Sequence, residues 1–340
     1  MPSLPLEDLA PQIVALKNAL EAAPAGAPVA VCAHTRPDGD AIGSVCALSA
    51  ALRHAGFEVC ALLADSGGKV PQAYRWLPEA ERFLRPNQVD ADTVFELFIA
   101  LDAPEVFRLG DAQDLCAQAK KRALIDHHPV RAPYAELVIA CTQAAATGQL
   151  IWEILPDLGL LRGQEVAVAT YVALVSDTGR FAFTNTNAAA LSDAAAMVAA
   201  GADAAQVAQK LYSEKPLAAL QLEELIVSRL TLENDGAVVA SYYDDDDLKR
   251  LKVSHDWTEN LIDLIRVVKG TRAAVMITHT AKGGRVSLRS AGAVNVGEIA
   301  VRFGGGGHAA AAGIIWPDPA ASREEILAAL LPLLPSGDTQ

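Results

Sequence analysis

Three features of this sequence predict an α/β fold with two unequal domains. Short apolar runs alternate with helical patterns, Asp and His residues cluster just after several of those runs, and a long helical stretch separates them from a second alternating region. Strands that alternate with helices imply a mainly parallel, doubly wound sheet with helices on both faces. A length of 340 residues suits two domains, each able to bury a core. The second is read as a smaller α/β domain.

The elements follow in order. Residues 1–21 read as an amphipathic helix, because Leu9, Ile13, Leu16 and Leu20 recur at helical spacing. Glu7, Asp8, Lys17 and Glu21 interrupt that segment, so it does not read as a secretory signal. A turn at 25–28 leads to a strand at 29–33, a polar loop at 34–40 and a helix at 41–55 that Gly56 ends. Further strands are predicted at 57–63, 97–101 and 123–125. Helices are predicted at 147–155, with Thr147 as N-cap, and at 164–175. Residues 188–230 are almost wholly helical in pattern, with breaks at Gly201 and Pro216. Beyond them lie strands at 237–243, 273–279 and 285–290 and helices at 260–268, 297–303 and 323–334. The predicted division is residues 1–190 as a catalytic metal-binding domain, 191–230 as a helical linker and 231–340 as a substrate-binding domain. The single charge run, Asp244 to Asp247, fits a helix start, where negative charge suits the dipole.

Composition narrows the function. The net charge of −13 leaves no basic excess to neutralise a long polyanion, so few phosphates at a time are expected and long nucleic acid is not. Five scattered cysteines without a C-x-x-C pair argue against a disulfide framework or a zinc site. Cys32 and Cys46 fall in apolar patterns and read as buried thiols in a reducing cytoplasm. No apolar run reaches the roughly 18 residues that a membrane span needs.

The chemistry concentrates in four places. His34, Asp38 and Asp40 follow the first strand; Asp102 follows the run 97–101; Asp126, His127 and His128 follow 123–125; and Asp177 ends a helical pattern. In an open α/β sheet, ligands bind beyond the carboxyl ends of the strands, so these side chains can converge. Each residue alone is also what a turn or a helix cap carries; the joint placement is what points to a site. Carboxylates gathered without matching Lys or Arg repel one another, and divalent metals remove that penalty. Oxygen donors with a few imidazoles suit Mn²⁺ or Mg²⁺, the histidines favouring Mn²⁺, and suit zinc less well. There are more donors than one ion needs, which indicates two ions sharing a carboxylate, an arrangement used for in-line displacement at phosphorus.

A second signal is Gly304, Gly305, Gly306, Gly307 and His308, continuing to Gly313. Successive glycines let backbone N–H groups line an anion-binding concavity. Upstream, Ser287 and Arg289 share one face of a strand, and Arg289 is suited to bidentate phosphate binding. A flexible glycine hinge beside a surface arginine would carry the same residues.

These motifs, in this order, resemble the DHH phosphoesterase superfamily, named for Asp126-His127-His128, and the segment 304–313 with Ser287-Leu-Arg289 looks like the DHHA1 signature. The match covers most of the chain. It is most similar to the subfamily with oligoribonuclease (nanoRNase) and 3′-phosphoadenosine 5′-phosphate phosphatase activity. That resemblance implies a cytoplasmic hydrolase with two Mn²⁺ per active site, Mg²⁺ or Co²⁺ serving as substitutes, and a homodimer. His34, Asp38 and Asp102 would hold one ion, and Asp40, Asp102, His127 and Asp177 the other, Asp102 bridging. His128 and Asp126 would be catalytic, His128 beside the scissile phosphate. Ser287, Arg289, the glycines and His308 would hold the far end of a short oligonucleotide or a nucleotide bisphosphate. The rival readings are a cyclic or linear dinucleotide phosphodiesterase, a RecJ-like single-strand exonuclease, a manganese inorganic pyrophosphatase and a non-catalytic nucleotide-binding scaffold.

Overall fold

The computed structural model describes residues 2–258, 261–280, 283–290, 294–307, 309–318 and 320–336. It divides into two units, Met1–Glu214 and Lys215–Gln340.

The first unit runs α1 (Ala10–Glu21), β1 (Pro28–Cys32), α2 (Gly39–His54), β2 (Glu58–Leu62), β3 (Leu97–Leu101), α3 (Gln113–Gln118), β4 (Lys121–Asp126), β5 (Leu137–Ala140), α4 (Thr147–Ile154), α5 (Gln164–Asp177), α6 (Ala188–Ala199) and α7 (Ala204–Ala208). The sheet order is β2-β1-β3-β4-β5, and every pairing is parallel. Alternation sorts the strand residues into two cores. Val29, Val31, Ile99 and Ile125 pack under α1, α2, α4 and α5. Ala30, Cys32, Phe98 and Leu124 face the other way, onto Leu109, Ala112 and Cys116. Successive strand residues point to opposite faces, so a buried strand has to be apolar throughout. β1 has β2 on one side and β3 on the other, so the connections diverge there, and a crevice opens at the carboxyl ends of β1 and β3.

One helix pair sets up that crevice. Gly43 of α2 leaves no room for a side chain: a Cβ there would lie 2.5 Å from the Ala169 carbonyl oxygen of α5, and one on Gly39 would lie 2.0 Å from Ser176 Oγ. The two helices therefore pack closely and antiparallel. The start of α2, with Asp38 and Asp40, meets the end of α5 at Asp177.

The second unit runs α8 (Leu217–Ser228), β6 (Thr231–Glu233), β7 (Val238–Asp244), α9 (Asp245–Leu251), α10 (Leu261–Ile265), β8 (Ala273–Thr280), β9 (Gly283–Ser290), α11 (Val296–Arg302), β10 (Gly306–Gly307), β11 (Ala311–Ile315) and α12 (Arg323–Leu330). Its sheet is mixed, in the order β10-β11-β9-β8-β7-β6, with β7 and β8 parallel and the other pairs antiparallel. Val275, Ile277 and Leu288 pack on α11 and α12, while Val239, Ala274 and Met276 pack on α8, α9 and α10. Asp244 caps α9 in a reciprocal box with Asp247, as the charge run implied. Among the described residues no helix is long and apolar enough to cross a membrane.

Each predicted strand is present within two residues of its expected bounds. Four short strands, β5, β6, β10 and β11, were not anticipated. Thr147 is not the N-cap of α4: Ala146 holds that position and makes no side-chain cap. The carboxylate of Asp40 takes over the capping role from another helix, accepting from Thr147 N (2.7 Å) and Gly148 N (2.9 Å).

Candidate metal centre

His34 stands two residues beyond β1, and Asp38 caps α2 by accepting from Ala41 N at 3.0 Å. Asp40 lies in the first turn of the same helix, buried, held by Ser44 Oγ (3.0 Å) as well as by α4. Asp102 comes directly after β3 with φ at 53°, a left-handed backbone that among non-glycine residues aspartate tolerates better than most. Asp126 ends β4 with no solvent exposure, and His127 and His128 follow it. Asp177 closes α5.

Asp102 is the hub. Oδ2 lies 3.2 Å from His34 Nε2, and Oδ1 lies 3.1 Å from His128 Nδ1 and 3.6 Å from His127 Nε2. Thr147 Oγ1 donates to Oδ1 at 3.2 Å. His127 Nε2 is also 3.6 Å from Asp177 Oδ2 and 3.8 Å from Asp40 Oδ2. Three groups have ligand atoms within 4.8 Å of one another: His34, Asp38 and Asp102; Asp40, His127 and Asp177; and Asp102, His127 and His128.

The protonation pattern shows why a cation fits. His34 Nδ1 faces the Thr35 carbonyl at 2.8 Å, and His127 Nδ1 faces the Ala144 carbonyl at 3.4 Å. A carbonyl only accepts, so both Nδ1 atoms carry a proton, and both Nε2 atoms, which face carboxylates, stand where a cation would replace a proton. Burial, followed by the charges of the neighbouring aspartates, pushes Asp40 and Asp177 well above the usual carboxylate range. Burial also opposes ionisation of Asp102, yet its bonds to His128 and His34 hold it well below that range. Burial disfavours a charged His34 ring, but Asp102 and Asp38 outweigh it and raise that group. His127 is lowered, chiefly by burial. Acidic oxygens converging with two imidazole Nε2 atoms form a donor set that suits a hard or borderline divalent ion.

His128 is set differently. Its backbone N and its Nδ1 both donate to Asp126 Oδ1, at 2.8 and 2.7 Å. Burial works against a charged ring, but the bonds to Asp102 and Asp126 prevail and push it up to about 10.

The second unit carries the remaining expected residues. Ser287 and Arg289 share the face of β9 that carries Ala274 and Met276 of β8, opposite Val286 and Leu288, and are half-buried. Arg289 Nη1 donates to its neighbour's carbonyl, Leu288 O, at 3.1 Å, and its Nε lies 3.8 Å from Asp263. Two of the four glycines form the short strand β10. Gly306 and Gly307 pair with Gly313 and Ala312, and a Cβ on Gly305 would lie 2.2 Å from the Gly313 carbonyl oxygen. Close backbone approach thus accounts for glycine at positions 305 and 307. His308 lies outside the described residues.

The sequence reading missed the groups that aim the ligands: the Thr147 and Gly148 amides on Asp40, the Thr147 hydroxyl on Asp102 and the Ala144 carbonyl on His127. Backbone groups leave no residue-type signal.

Comparison with known proteins agrees with this layout. The "DHH family, N-terminal domain" model matches residues 28–176, and the "DHHA1 domain" model matches residues 237–334. A bifunctional oligoribonuclease and PAP phosphatase, NrnA, of Thermus thermophilus is 29% identical over 287 residues, covering 84% of this chain and 83% of that protein. The Bacillus subtilis protein of the same description is 28% identical over 285 residues, with 82% and 86% covered. The crystal structure of an exopolyphosphatase-related protein from Bacteroides fragilis has the same fold, with a TM-score of 0.84 at 19% identity, covering 95% of this chain and 97% of that one.

Proposed function

This chain belongs to the DHH/DHHA1 phosphoesterase family, and from that premise we propose that it hydrolyses phosphate esters of very short nucleotide substrates, short oligoribonucleotides and 3′-phosphoadenosine 5′-phosphate, with two divalent ions, Mn²⁺ by preference. The observation that carries the reading is the pair of ligand groups sharing one crevice around Asp102. His34 and Asp38 would hold one ion, Asp40, His127 and Asp177 the other, and Asp102 both. Bound there, the ions supply charge neutralisation of the phosphate and activation of water.

The chain's own residues do the rest. Asp126 holds Nδ1 of His128, which orients the ring and leaves Nε2 as the atom that passes a proton to the leaving oxygen. Thr147 and the α4 amides fix the Asp102 and Asp40 carboxylates, so the site is organised before substrate arrives. Arg289 is the residue proposed to hold a phosphate away from the reacting centre. The net charge of −13 supports small substrates over long polyanions.

A substrate panel tests this reading. With Mn²⁺, a 5′-labelled diribonucleotide or 3′-phosphoadenosine 5′-phosphate should turn over much faster than a 24-mer, and Arg289→Ala should mainly raise KM. Preference for cyclic di-AMP would shift the substrate class and keep the site. Equal rates on the dimer and the 24-mer would refute the short-substrate reading.

A further inference from the structure

The peptide of Ala145 is held on both sides by side chains. Its N–H donates to Gln149 Oε1 at 2.7 Å, and its carbonyl accepts from Asn185 Nδ2 at 3.0 Å. The same Asn185 amide donates to the carbonyl of Asp177 at 3.1 Å. Gln149, with no solvent exposure, is fixed in turn by donating to Asp193 Oδ2 at 2.7 Å.

Ala145 sits among the groups that aim one set of ligands. Ala144 accepts from His127 Nδ1, and Thr147 and Gly148 hold Asp40. Asn185 therefore bonds the backbone of Asp177 directly and is linked to the side chains of Asp40 and His127 through the segment 144–148. The chain after Asp177 is bent to allow it. Gly179, Arg180 and Phe181 take φ of 54°, 64° and 62° in succession, and a Cβ on Gly179 would lie 2.2 Å from the Phe183 ring. Each non-glycine left-handed residue costs about 1–2 kcal/mol, so the fold holds this turn against its local preference.

We propose that Asn185 and Gln149 are positioning residues that clamp the Ala145 peptide and so set the spacing of Asp40, His127 and Asp177 for one of the two ions. The inference rests on the two-ion reading of the site. Partners of this kind commonly change metal affinity by about 10–100-fold when they are lost.

The orientation of Asn185 gives a sharp test, because two carbonyls face its amide nitrogen. Asn185→Asp keeps the volume but replaces the donor with an acceptor; Asn185→Ala removes it. Mn²⁺ titration of the metal-free full chain, by calorimetry and by electron paramagnetic resonance, should give two sites in the unmodified protein. In both variants one site should weaken about 10–100-fold while the other is unchanged, with Asn185→Asp at least as impaired as Asn185→Ala. kcat should fall with KM retained. If Asn185→Ala does not fold, Asn185→Ser, judged by the same two constants, replaces it. Both sites unchanged, or both weakened equally, would overturn the clamp while leaving the metal centre intact. No Mn²⁺ binding by the unmodified chain would overturn the metal reading, and the clamp with it.

Discussion

Nδ1 of His128 lies 2.7 Å from Oδ1 of Asp126, a carboxylate with no solvent exposure whose Oδ2 has no hydrogen-bond partner among the described residues. Asp126 belongs to none of the three metal-capable groups. Its work on this geometry is to hold the ring. His128→Ala is expected to lower kcat by about 10²–10⁴-fold, the usual worth of a positioned general acid. Asp126→Asn keeps the shape and weakens the hold, so a smaller loss in kcat is expected with Mn²⁺ stoichiometry unchanged. Steady-state kinetics and calorimetry on the same preparations check both.

Metal binding should also stabilise the fold. Asp38, Asp40, Asp102 and Asp177 meet in one crevice, Asp40 and Asp102 buried, and an ion that binds only the folded state relieves their repulsion. At a free concentration one hundred times Kd the gain is about 2.7 kcal/mol. Scanning calorimetry should show Tm rising with Mn²⁺ and returning on chelation. Asp102→Asn should abolish the rise, because Asp102 belongs to two of the groups.

Gly43→Ala reverses an ordinary expectation. Inside a helix that change gains about 1 kcal/mol of propensity. Here the added methyl would lie 2.5 Å from a backbone oxygen of α5, so a net destabilisation of a few kcal/mol is expected, together with weaker Mn²⁺ binding as the α2 and α5 ends separate. Urea unfolding measures the first effect and titration the second.

Asp193 gives the protein a pH dependence outside the metal centre. Burial, with Glu153 beside it and the Gln149 bond opposing, pushes its carboxyl up to about 7. In the unfolded chain it titrates near about 3.9. Between those values the folded state binds more protons, so stability falls as pH rises through that window and levels off above it. A tenfold difference in proton affinity between the folded and unfolded chain corresponds to about 1.4 kcal/mol, making the loss a few kcal/mol at most. Urea unfolding of metal-free protein at pH 5 and pH 8 should show this fall in the unmodified chain and a smaller one in Asp193→Asn.

Much of the architecture was legible because periodicity and chemistry coincide. The run Leu97–Leu101 is apolar at every position and is buried on both faces, and an aspartate placed directly after it must fall at the strand's carboxyl end. His34, Asp38, Asp40, Asp102 and His127 were picked out by that logic, Asp177 by its place at the end of a helical pattern, and all six are brought together. The strand β5 was missed because four residues bounded by polar loops give little periodic signal. Thr147 was misread because capping rules describe a helix's own neighbours, whereas Asp40 caps α4 from 107 residues away. The glycine run was read for its ligand-facing amides, yet Gly305 and Gly307 are also demanded by the close approach of β11. Asn185 carried no signal, since its role is to bond two carbonyls that only the folded chain brings together.

The most direct test of the central claim is the rate of diribonucleotide hydrolysis by metal-free protein as Mn²⁺ is added back, with Asp102→Asn alongside. Activity that is absent without metal, saturates as two ions bind and does not return in Asp102→Asn is the result this account requires. Hydrolysis that persists in chelator, or that Asp102→Asn retains in full, would contradict it.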